Sequence, residues 1–317
     1  MTQASIELSV VIPAHQEHDV LTNTLSVVTK IIRGITENYE VIVVDDGSRD
    51  ETFADVEAFH KQDPRVKGIR LSRQFGKEAA MLAGLARAHG AAVVTIDGDL
   101  QHPPELIPEF YEKWRGGAKI VHGVKRDRLY GGWFHRVAAQ AFNRTFSWAA
   151  GFDIVGSSDY KLLDASVVRL LVQQFPEHGR FHRGLATWVG FRQEAVIFAV
   201  RERPAGKSRW RLYDLFRYGW NTLTSYSSLP LKLVPIMGAV MLVVSVALSI
   251  EALVSRFSGN AVSGFATLEI TILFTGSMLM IGLGIIGQYL SRVYDELKQR
   301  PIFLVDEEVG FKSAPER

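Results

Sequence analysis

Two long apolar stretches in the C-terminal third constrain this chain more than any other feature. Residues 233–254 and 270–290 are almost entirely apolar, and the second stretch carries no charged residue. A helix needs about 20 apolar residues to cross a membrane, so the sequence predicts two transmembrane helices joined by a hairpin at 255–267. The alternative is a helical pair buried in a soluble core, which the lack of a polar face over such a length disfavours.

Basic residues around these stretches predict their orientation. The hairpin holds only Arg256, whereas the segments on the other side hold Arg209, Arg211, Arg217, Lys232, Arg292, Lys298 and Arg300. The positive-inside rule then places both termini in the cytoplasm and the protein in the inner (plasma) membrane with two spans. No secretory signal is recognisable at the start of the chain, so the N-terminal part is expected in the cytosol.

The segment ahead of the first span has its own pattern. One helical face among basic and polar neighbours carries Leu212, Leu215, Phe216, Trp220 and Leu223. This pattern predicts an amphipathic helix lying on the membrane surface. A helix packed against the N-terminal part of the chain would show the same apolar face. We therefore divide the chain into a domain at 1–208, an interfacial segment at 209–230, a transmembrane hairpin at 231–292 and a cytoplasmic C-terminal tail at 293–317.

The first 208 residues alternate between strand and helix patterns. Apolar runs predict strands at 8–12, 41–44, 66–71 and 92–96, and helical spacing predicts helices at 17–33 and 77–88. Pro13 is expected to end the first strand, Ser48 or Asp50 to cap a helix, and Pro103 and Pro104 to open another. Such alternation predicts an α/β fold with a mostly parallel sheet covered by helices.

Acidic residues follow two of these strands. Asp45 and Asp46 come directly after one strand, and Asp97, Asp99 and Gln101 come after another. A lone acidic pair is often a solvated turn, but ligands bind at the carboxyl edge of open α/β sheets, where both pairs are expected. Oxygen ligands of this type suit Mg²⁺ or Mn²⁺ carrying a diphosphate. The sequence therefore predicts a nucleotide-sugar site.

Other sites are excluded by composition and motifs. The chain has no cysteine, so disulfides and thiolate metal sites are impossible. No G-x-G-x-x-G follows the first predicted strand, which argues against a dinucleotide site, and no P-loop motif occurs in the sequence. Phosphate binding must therefore rely on a metal ion and basic side chains.

Five segments in order, at 11–17, 44–48, 71–78, 97–104 and 201–210, together with the ending 287–294, resemble family 2 glycosyltransferases. The resemblance is narrower to the polyprenyl-phosphate glycosyltransferases, the group of dolichyl-phosphate mannose synthase and its bacterial glucosyl relatives. It covers nearly the whole chain and implies a GT-A, Rossmann-like catalytic domain. The chain departs from the common pattern at Gln74 and at His15-Gln16, and the second departure touches the loop that contacts the nucleobase.

The resemblance also implies a donor site. The nucleoside would be held by Pro13, Ala14, Glu17, Asp45 and Asp46, and the metal by Asp99 and Gln101. The sugar or nucleotide would lie near Asp97 and Gly98, and Arg73 and Lys77 would line the pocket. Alternatively, Pro13 and Glu17 simply end a strand and begin a helix, and Arg73 and Lys77 are solvated charges.

The implied reaction is inverting, metal-dependent transfer of one sugar to a polyprenyl phosphate, with Asp99 and Asp159 as catalytic residues. Asp159 would act as a base or orient the acceptor; alternatively, it caps a helix bearing Leu162 and Leu163. Guanidinium groups grip phosphate in a fork, and the acceptor candidates are Arg126, Arg136, Arg201, Arg203, Lys207, Ser208 and Arg209. The basic residues from Arg201 onward would also attract a lipid surface.

UDP-glucose and undecaprenyl phosphate are the expected substrates, with GDP-mannose as the alternative donor. Two other functions are possible for such a sequence. A processive polysaccharide synthase needs a channel for its polymer, which two membrane spans cannot form. An inactive membrane-anchored partner is disfavoured because the acidic motifs are intact. A homo-oligomer is expected and a nucleic-acid partner is not. The glycines Gly276, Gly282, Gly284 and Gly287 allow close helix contacts within the hairpin or between subunits.

Overall fold

The computed structural model describes residues 6–125, 157–175, 182–198, 229–258 and 264–311. The chain divides into two compact units, which are described separately. The first comprises residues 1–139, 152–208 and 300–317, and the second comprises 140–151 and 209–299.

The first unit is an eight-stranded sheet with helices on both faces. Its strands are β1 (Leu8–Ala14), β2 (Tyr39–Asp45), β3 (Val66–Leu71), β4 (Ala92–Thr95), β5 (Ile120–Lys125), β6 (Ser157–Asp164), β7 (Gln193–Phe198) and β8 (Val305–Val309). Its helices are α1 (His18–Arg33), α2 (Thr52–Gln62), α3 (Lys77–Arg87), α4 (Ile107–Arg115), α5 (Ala165–Gln173) and α6 (His182–Trp188), with a 3₁₀ turn at Pro104–Leu106.

The strand order is β7-β5-β6-β4-β1-β2-β3-β8. Strands β4, β1, β2 and β3 are parallel to one another, and β5 is parallel to β7. Strand β6 is antiparallel to both β4 and β5, and β8 is antiparallel to β3. The prediction of an α/β fold with a mostly parallel sheet is confirmed. Because β1 lies between β2 and β4, the acidic ends of β2 and β4 are at the same edge of the sheet.

Both faces of the sheet are covered, which explains why its central strands are mostly apolar. Every residue of β1 and β2 is buried. Val10 packs in a core with α1 and α4, whereas the next residue, Val11, packs in a second core with α3 and α5. A strand covered on both faces needs a continuous apolar run rather than an alternating one, which is the pattern in the sequence.

Three local expectations were wrong. Pro13 does not end the first strand but lies inside β1, opposite Val44 of β2. Neither Ser48 nor Asp50 occupies the N-cap of α2, which is Glu51; Asp50 instead accepts a hydrogen bond from the Thr52 amide. Asp159 lies within strand β6, so the alternative that it caps a helix is also wrong.

The segment 293–317 is not simply a tail. Helix α8 (Phe265–Leu297) extends past residue 292, and β8 then pairs antiparallel with β3 as the last strand of the sheet. The Ser72 amide also donates to the Leu304 carbonyl at 2.9 Å. The sheet therefore includes residues that come before and after the two apolar helices in the sequence.

The second unit contains α7 (Leu229–Phe257) and α8. Within these helices, Leu229–Ser255 and Ile270–Leu297 are long and apolar enough to cross a membrane, with mean hydropathies of 2.5 and 2.0. Their most apolar windows are 0% and 11% buried, respectively, which does not fit a helical pair buried in a soluble core. Of the predicted interfacial segment at 209–230, residues 209–228 lie outside the described residues, and the last two belong to α7.

Candidate active site

Acidic side chains from three strands meet at the carboxyl edge of the sheet. Asp45 ends β2, Asp97 follows β4 by two residues, and Asp159 lies in β6, which pairs with β4. The Thr95 hydroxyl donates to the Asp159 carbonyl at 2.6 Å and fixes the start of β6 against the end of β4. The edge therefore concentrates negative charge.

Lys77 joins two of these carboxylates. Its Nζ lies 2.5 Å from Asp97 Oδ1 and 2.9 Å from Asp159 Oδ2. Lys77 is the first residue of α3, and Gly76 ahead of it has φ +101°, which favours glycine and turns the chain into the helix. Burial alone would lower the pKa of Lys77, but the charges of Asp97 and Asp159 outweigh burial and raise it. Lys77 thus remains a cation between two anions.

His102 supports Asp97 from the other side. His102 Nδ1 lies 3.4 Å from Asp97 Oδ2, and the ring is 5.5 Å from that of Tyr160 and 5.6 Å from that of Phe198. The Tyr160 hydroxyl donates to the Pro103 carbonyl at 3.0 Å. Burial raises the pKa of Tyr160, which remains neutral. These contacts fix the loop after Asp99 against β6.

The acidic pair of β2 organises two loops. Asp46 accepts hydrogen bonds from the amides of Phe75 at 2.7 Å and Gly76 at 2.8 Å. Asp45 is buried and accepts from the Ser48 amide at 3.0 Å. At Gly47, with φ +64°, a Cβ would overlap the backbone of Arg73, so a side chain here would push the two loops apart.

Glu17 and Gly98 make a second close approach. The Glu17 amide donates to Thr52 Oγ1 at 3.0 Å, and a Cβ on Gly98 would overlap the Glu17 carboxylate. Thr24 Oγ1 donates to the Gly98 carbonyl at 2.6 Å. The loop between Asp97 and Asp99 is therefore fixed on α1, which explains a glycine at that position.

The side chains that could bind a metal ion at this edge offer oxygen atoms as ligands. Asp99 Oδ1 accepts from the Gln101 amide at 3.1 Å, and Asp99 lines the cleft. Gln101 Nε2 is buried without a hydrogen bond among the described residues, and exchanging the two amide atoms would present Oε1 at that position. No group of three His, Cys, Asp or Glu suited to a metal occurs in the described part of the chain. Mg²⁺ needs only one or two carboxylates besides substrate phosphates and water, so these residues fit such an ion.

Two clefts adjoin at this edge. The first, of about 310 Å³, is lined by Pro13, Ala14, His15, Glu17, Asp46, Gln74, Gly76, Lys77, Ala80, Asp97 and Asp99. The second, of about 420 Å³, shares His15 and Gln74 with the first and also includes Ser48, Arg70, Arg73 and Asp306. We call them the acidic cleft and the arginine cleft.

Most residues predicted for the donor site are thus brought together. Seven line the acidic cleft, namely Pro13, Ala14, Glu17, Asp46, Lys77, Asp97 and Asp99. Arg73 lines the arginine cleft, and Asp159 contacts Lys77. Asp45 and Gly98 are buried and line neither cleft. The acceptor candidates Arg126, Arg136, Arg201, Arg203, Lys207, Ser208 and Arg209 lie outside the described residues.

Three contributors were missed from the sequence. His102 directly follows Gln101, and this position next to a predicted metal ligand is a usable signal. Ser48 stands in the Asp45 motif and accepts a hydrogen bond from the Gln16 amide, but the sequence pattern suggested only a helix cap for it. Asp306 lies more than two hundred residues from the other cleft residues, and no local pattern distinguishes it from a surface acid.

Comparisons with known proteins identify the family of this chain. Residues 9–168 match the family described as "Glycosyl transferase family 2". An uncharacterized glycosyltransferase of Synechocystis sp. is 37% identical over 313 residues, covering 98% of each chain. The "Prophage bactoprenol glucosyl transferase homolog" of Escherichia coli (strain K12) is 33% identical over 304 residues, covering 95% of this chain and 98% of its own.

One solved structure is more distantly similar. It is that of glucosyl-3-phosphoglycerate synthase from Mycobacterium tuberculosis with Mn²⁺, uridine diphosphate and glucosyl-3-phosphoglycerate. Sequence identity is 21%, coverage is 70% of this chain and 80% of that chain, and the TM-score is 0.48. At this distance the similarity carries no argument about the ligands of this chain.

Proposed function

This chain belongs to glycosyl transferase family 2, and we propose that it transfers one glucose from UDP-glucose to undecaprenyl phosphate. The product would be a polyprenyl-monophosphate sugar for modification of cell-envelope glycans. In this proposal the GT-A-like unit binds the donor, and the two apolar helices hold the enzyme at the membrane that contains the acceptor. Both termini and the catalytic unit face the cytoplasm.

The observation that carries this proposal is the extent of the similarity to proteins named for bactoprenol glucosyl transfer. The Escherichia coli homolog matches 95% of this chain, and the bactoprenol glucosyl transferase of Shigella phage SfV is 32% identical over 96% of it. These matches include the apolar helices as well as the acidic edge of the sheet. A common architecture of donor cleft and membrane pair supports a common type of acceptor.

The residues of the acidic cleft have distinct roles in this proposal. Asp99 and Gln101 hold Mg²⁺ or Mn²⁺, which when bound supplies positive charge to the departing diphosphate. Pro13, Ala14, Glu17, Asp45 and Asp46 shape the nucleotide site, with Arg73 at its rim, and Asp97 and Gly98 lie nearest the sugar. Lys77 holds Asp97 and Asp159 in place at 2.5 and 2.9 Å.

The acceptor needs little help from a base. The second pKa of a phosphate monoester is about 6. At neutral pH the phosphate oxygen of the acceptor, which attacks the sugar, is therefore largely ionised. Lys77, 2.9 Å from Asp159 Oδ2, offsets the charge of this carboxylate. Asp159 can then orient the acceptor phosphate for attack opposite the departing diphosphate, which inverts the anomeric carbon. The basic residues Arg126, Arg136, Arg201, Arg203, Lys207 and Arg209, with Ser208, would bind the acceptor phosphate or the lipid surface.

A donor panel tests this function. The full-length protein, purified in detergent, is incubated with Mg²⁺, undecaprenyl phosphate and radiolabelled UDP-glucose, UDP-N-acetylglucosamine or GDP-mannose. We expect label in the organic-extractable lipid with UDP-glucose. Label only from GDP-mannose would identify a mannosyltransferase, and transfer of no sugar to the lipid would refute the proposal.

Metal dependence is a second test. Because Asp99 is a proposed metal ligand, Asp99→Ala should lower kcat by about 10²-fold or more, and excess chelator should stop wild-type transfer until Mg²⁺ or Mn²⁺ is restored. Glu109→Ala, an exposed acid on α4, is the matched control and should retain activity. Full transfer by Asp99→Ala, or in the presence of chelator, would contradict the metal assignment.

A further inference from the structure

One wall of the arginine cleft is formed by a residue from the C-terminal strand β8. Asp306 of β8 lines this cleft together with Ser48, Arg70 and Arg73. In the pairing of β8 with β3, Val305 is opposite Leu71 and Glu307 is opposite Arg70, so Asp306 is the extra residue of a β-bulge. A bulge redirects a side chain away from the regular ladder and is common beside active sites. The sheet thus presents Asp306 at the cleft.

The position of Asp306 is fixed by contacts on both sides. Before it, the Leu304 carbonyl accepts from the Ser72 amide at 2.9 Å. After it, Glu308 accepts from Arg87 Nη2 at 2.7 Å, and Val309 packs against Gly68, where a Cβ would lie 2.8 Å from the valine. Strand β8 is therefore an integral part of the sheet, and Asp306 has a defined location.

Polar groups in this cleft are available to a ligand. Arg70 is 3.5 Å from the Ser48 carbonyl, 3.8 Å from Asp45 Oδ2 and 3.9 Å from Glu307 Oε2, all longer than ordinary hydrogen bonds. Within the described part of the chain, no hydrogen bond or ion pair engages the Asp306 carboxylate. The cleft therefore offers guanidinium donors on one side and a carboxylate acceptor on the other.

The proposed function determines what this cleft must receive. The acidic cleft takes the sugar and the diphosphate, and Pro13, Ala14, Glu17 and Asp46 in its lining also hold the near side of the nucleoside. This cleft shares His15 and Gln74 with the arginine cleft. The far side of the nucleoside then reaches the arginine cleft, with ribose O–H and base N–H groups for a carboxylate and carbonyl oxygens for guanidinium groups. Asp99 is proposed to bind a metal ion, and Asp159 is paired with Lys77. Asp306 has no such counter-charge among the described residues and would repel a phosphate, so it suits the nucleoside and not the diphosphate.

We propose that Asp306, presented by the bulge in β8, accepts a hydrogen bond from the donor nucleoside and so determines which nucleotide sugars bind. This inference rests on the proposed function and extends the donor site to a strand that follows the membrane helices in sequence. It assigns to Asp306 a role in donor binding and none in the chemical step.

Steady-state kinetics with UDP-glucose test the proposal in the full-length enzyme. Asp306→Ala should raise KM by about tenfold, the usual size of a lost hydrogen bond to a charged group, and leave kcat within about twofold. Glu308→Ala is the matched control because it removes another acid of β8, one that pairs with Arg87, and its KM should not change. An acid that merely lay near the donor would repel the diphosphate, so its removal would lower KM. An unchanged or lowered KM in Asp306→Ala would overturn the inference.

Donor analogues identify the hydrogen-bonding group, and the first comparison uses wild-type enzyme alone. We expect wild-type enzyme to lose about tenfold in affinity for either a 2′-deoxy, a 3′-deoxy or an N3-methyl UDP-glucose. The analogue that weakens wild type should bind Asp306→Ala and wild type equally. If none of the three binds more weakly to wild type, the inference fails. Transfer from unmodified UDP-glucose is measured in parallel, so failure of the proposed function is seen separately.

Discussion

At the scale of single residues, the central feature is one lysine between two carboxylates. Without its cation, Asp97 and Asp159 would face each other as like charges, which is unfavourable at such distances. Lys77 is therefore a positioning residue for both acids as well as a wall of the acidic cleft.

Replacement of Lys77 tests this role. Lys77→Met keeps much of the side-chain volume but removes the charge, and we expect kcat to fall by about 10²- to 10³-fold, as for loss of one preorganised electrostatic group. Lys113→Met is the control, since Lys113 also pairs with a carboxylate, Glu194 at 3.2 Å, but lies on α4 outside the cleft. Equal kcat values in the two variants, measured as sugar transfer to lipid, would exclude the proposed role of Lys77.

The individual residues of this site were largely predictable from the sequence, but the ion pair between Lys77 and Asp159 was not. Asp97, Asp99 and Lys77 stand in short motifs that indicate a donor site. Lys77 and Asp159, however, are 82 positions apart, and only the adjacency of β4 and β6 brings them together. Local sequence patterns contain no information on that adjacency.

At the scale of elements, the cap of α5 links the sheet to the helix behind it. Asp164 ends β6 and accepts hydrogen bonds from the Ser166 amide at 3.0 Å and Trp114 Nε1 at 2.9 Å, and it pairs with Lys119 at 3.0 Å. Burial alone would raise the pKa of Asp164, but the hydrogen bonds, first those from Ser166 and Trp114, lower it to about 2. The carboxylate is thus stabilised in the folded state.

This cap makes stability depend on acid in a defined direction. Because the pKa is lower in the folded state than the ordinary value of 3.8, the stabilisation is complete above about pH 4 and is lost as the pH falls towards 2. Asp164→Ala should reduce the free energy of unfolding by about 1–2 kcal/mol at pH 7, and by less at pH 3. Denaturant unfolding in detergent measures both values, with the exposed Asp19→Ala as the control. A loss that stayed constant or grew with acid would contradict the assignment.

Element prediction succeeded where the pattern was repetitive and failed where a strand looked polar. The parallel strands β1, β2 and β4 each contain a run of buried apolar residues, and β3 combines buried apolar with partly exposed basic residues. The predicted bounds of these four strands lie within a few residues of the observed ones. Strand β8 reads Val-Asp-Glu-Glu-Val, with three acids in five residues. Charged side chains are typical of edge strands, which they protect from pairing with other molecules, so this strand resembles a loop in sequence.

At the scale of the whole molecule, the proposed topology makes a labelling prediction. The natural chain has no cysteine, so single cysteines can report exposure without background. Ser258→Cys, just after α7, should react with a membrane-impermeant maleimide in intact spheroplasts. Ala58→Cys on α2 should react only after the membrane is permeabilised. The reverse pattern would invert the proposed orientation.

The place of β8 in the chain also affects the order of assembly. A growing polypeptide leaves the ribosome from its N-terminus, and domains that are complete begin to fold during synthesis. Here the edge of β3 stays open until both apolar helices have been made and residues 305–309 have followed. A nascent chain that has not yet completed its second apolar helix therefore lacks a finished sheet. With Asp306 in the role proposed above, the donor site is complete only after both apolar helices have been synthesised.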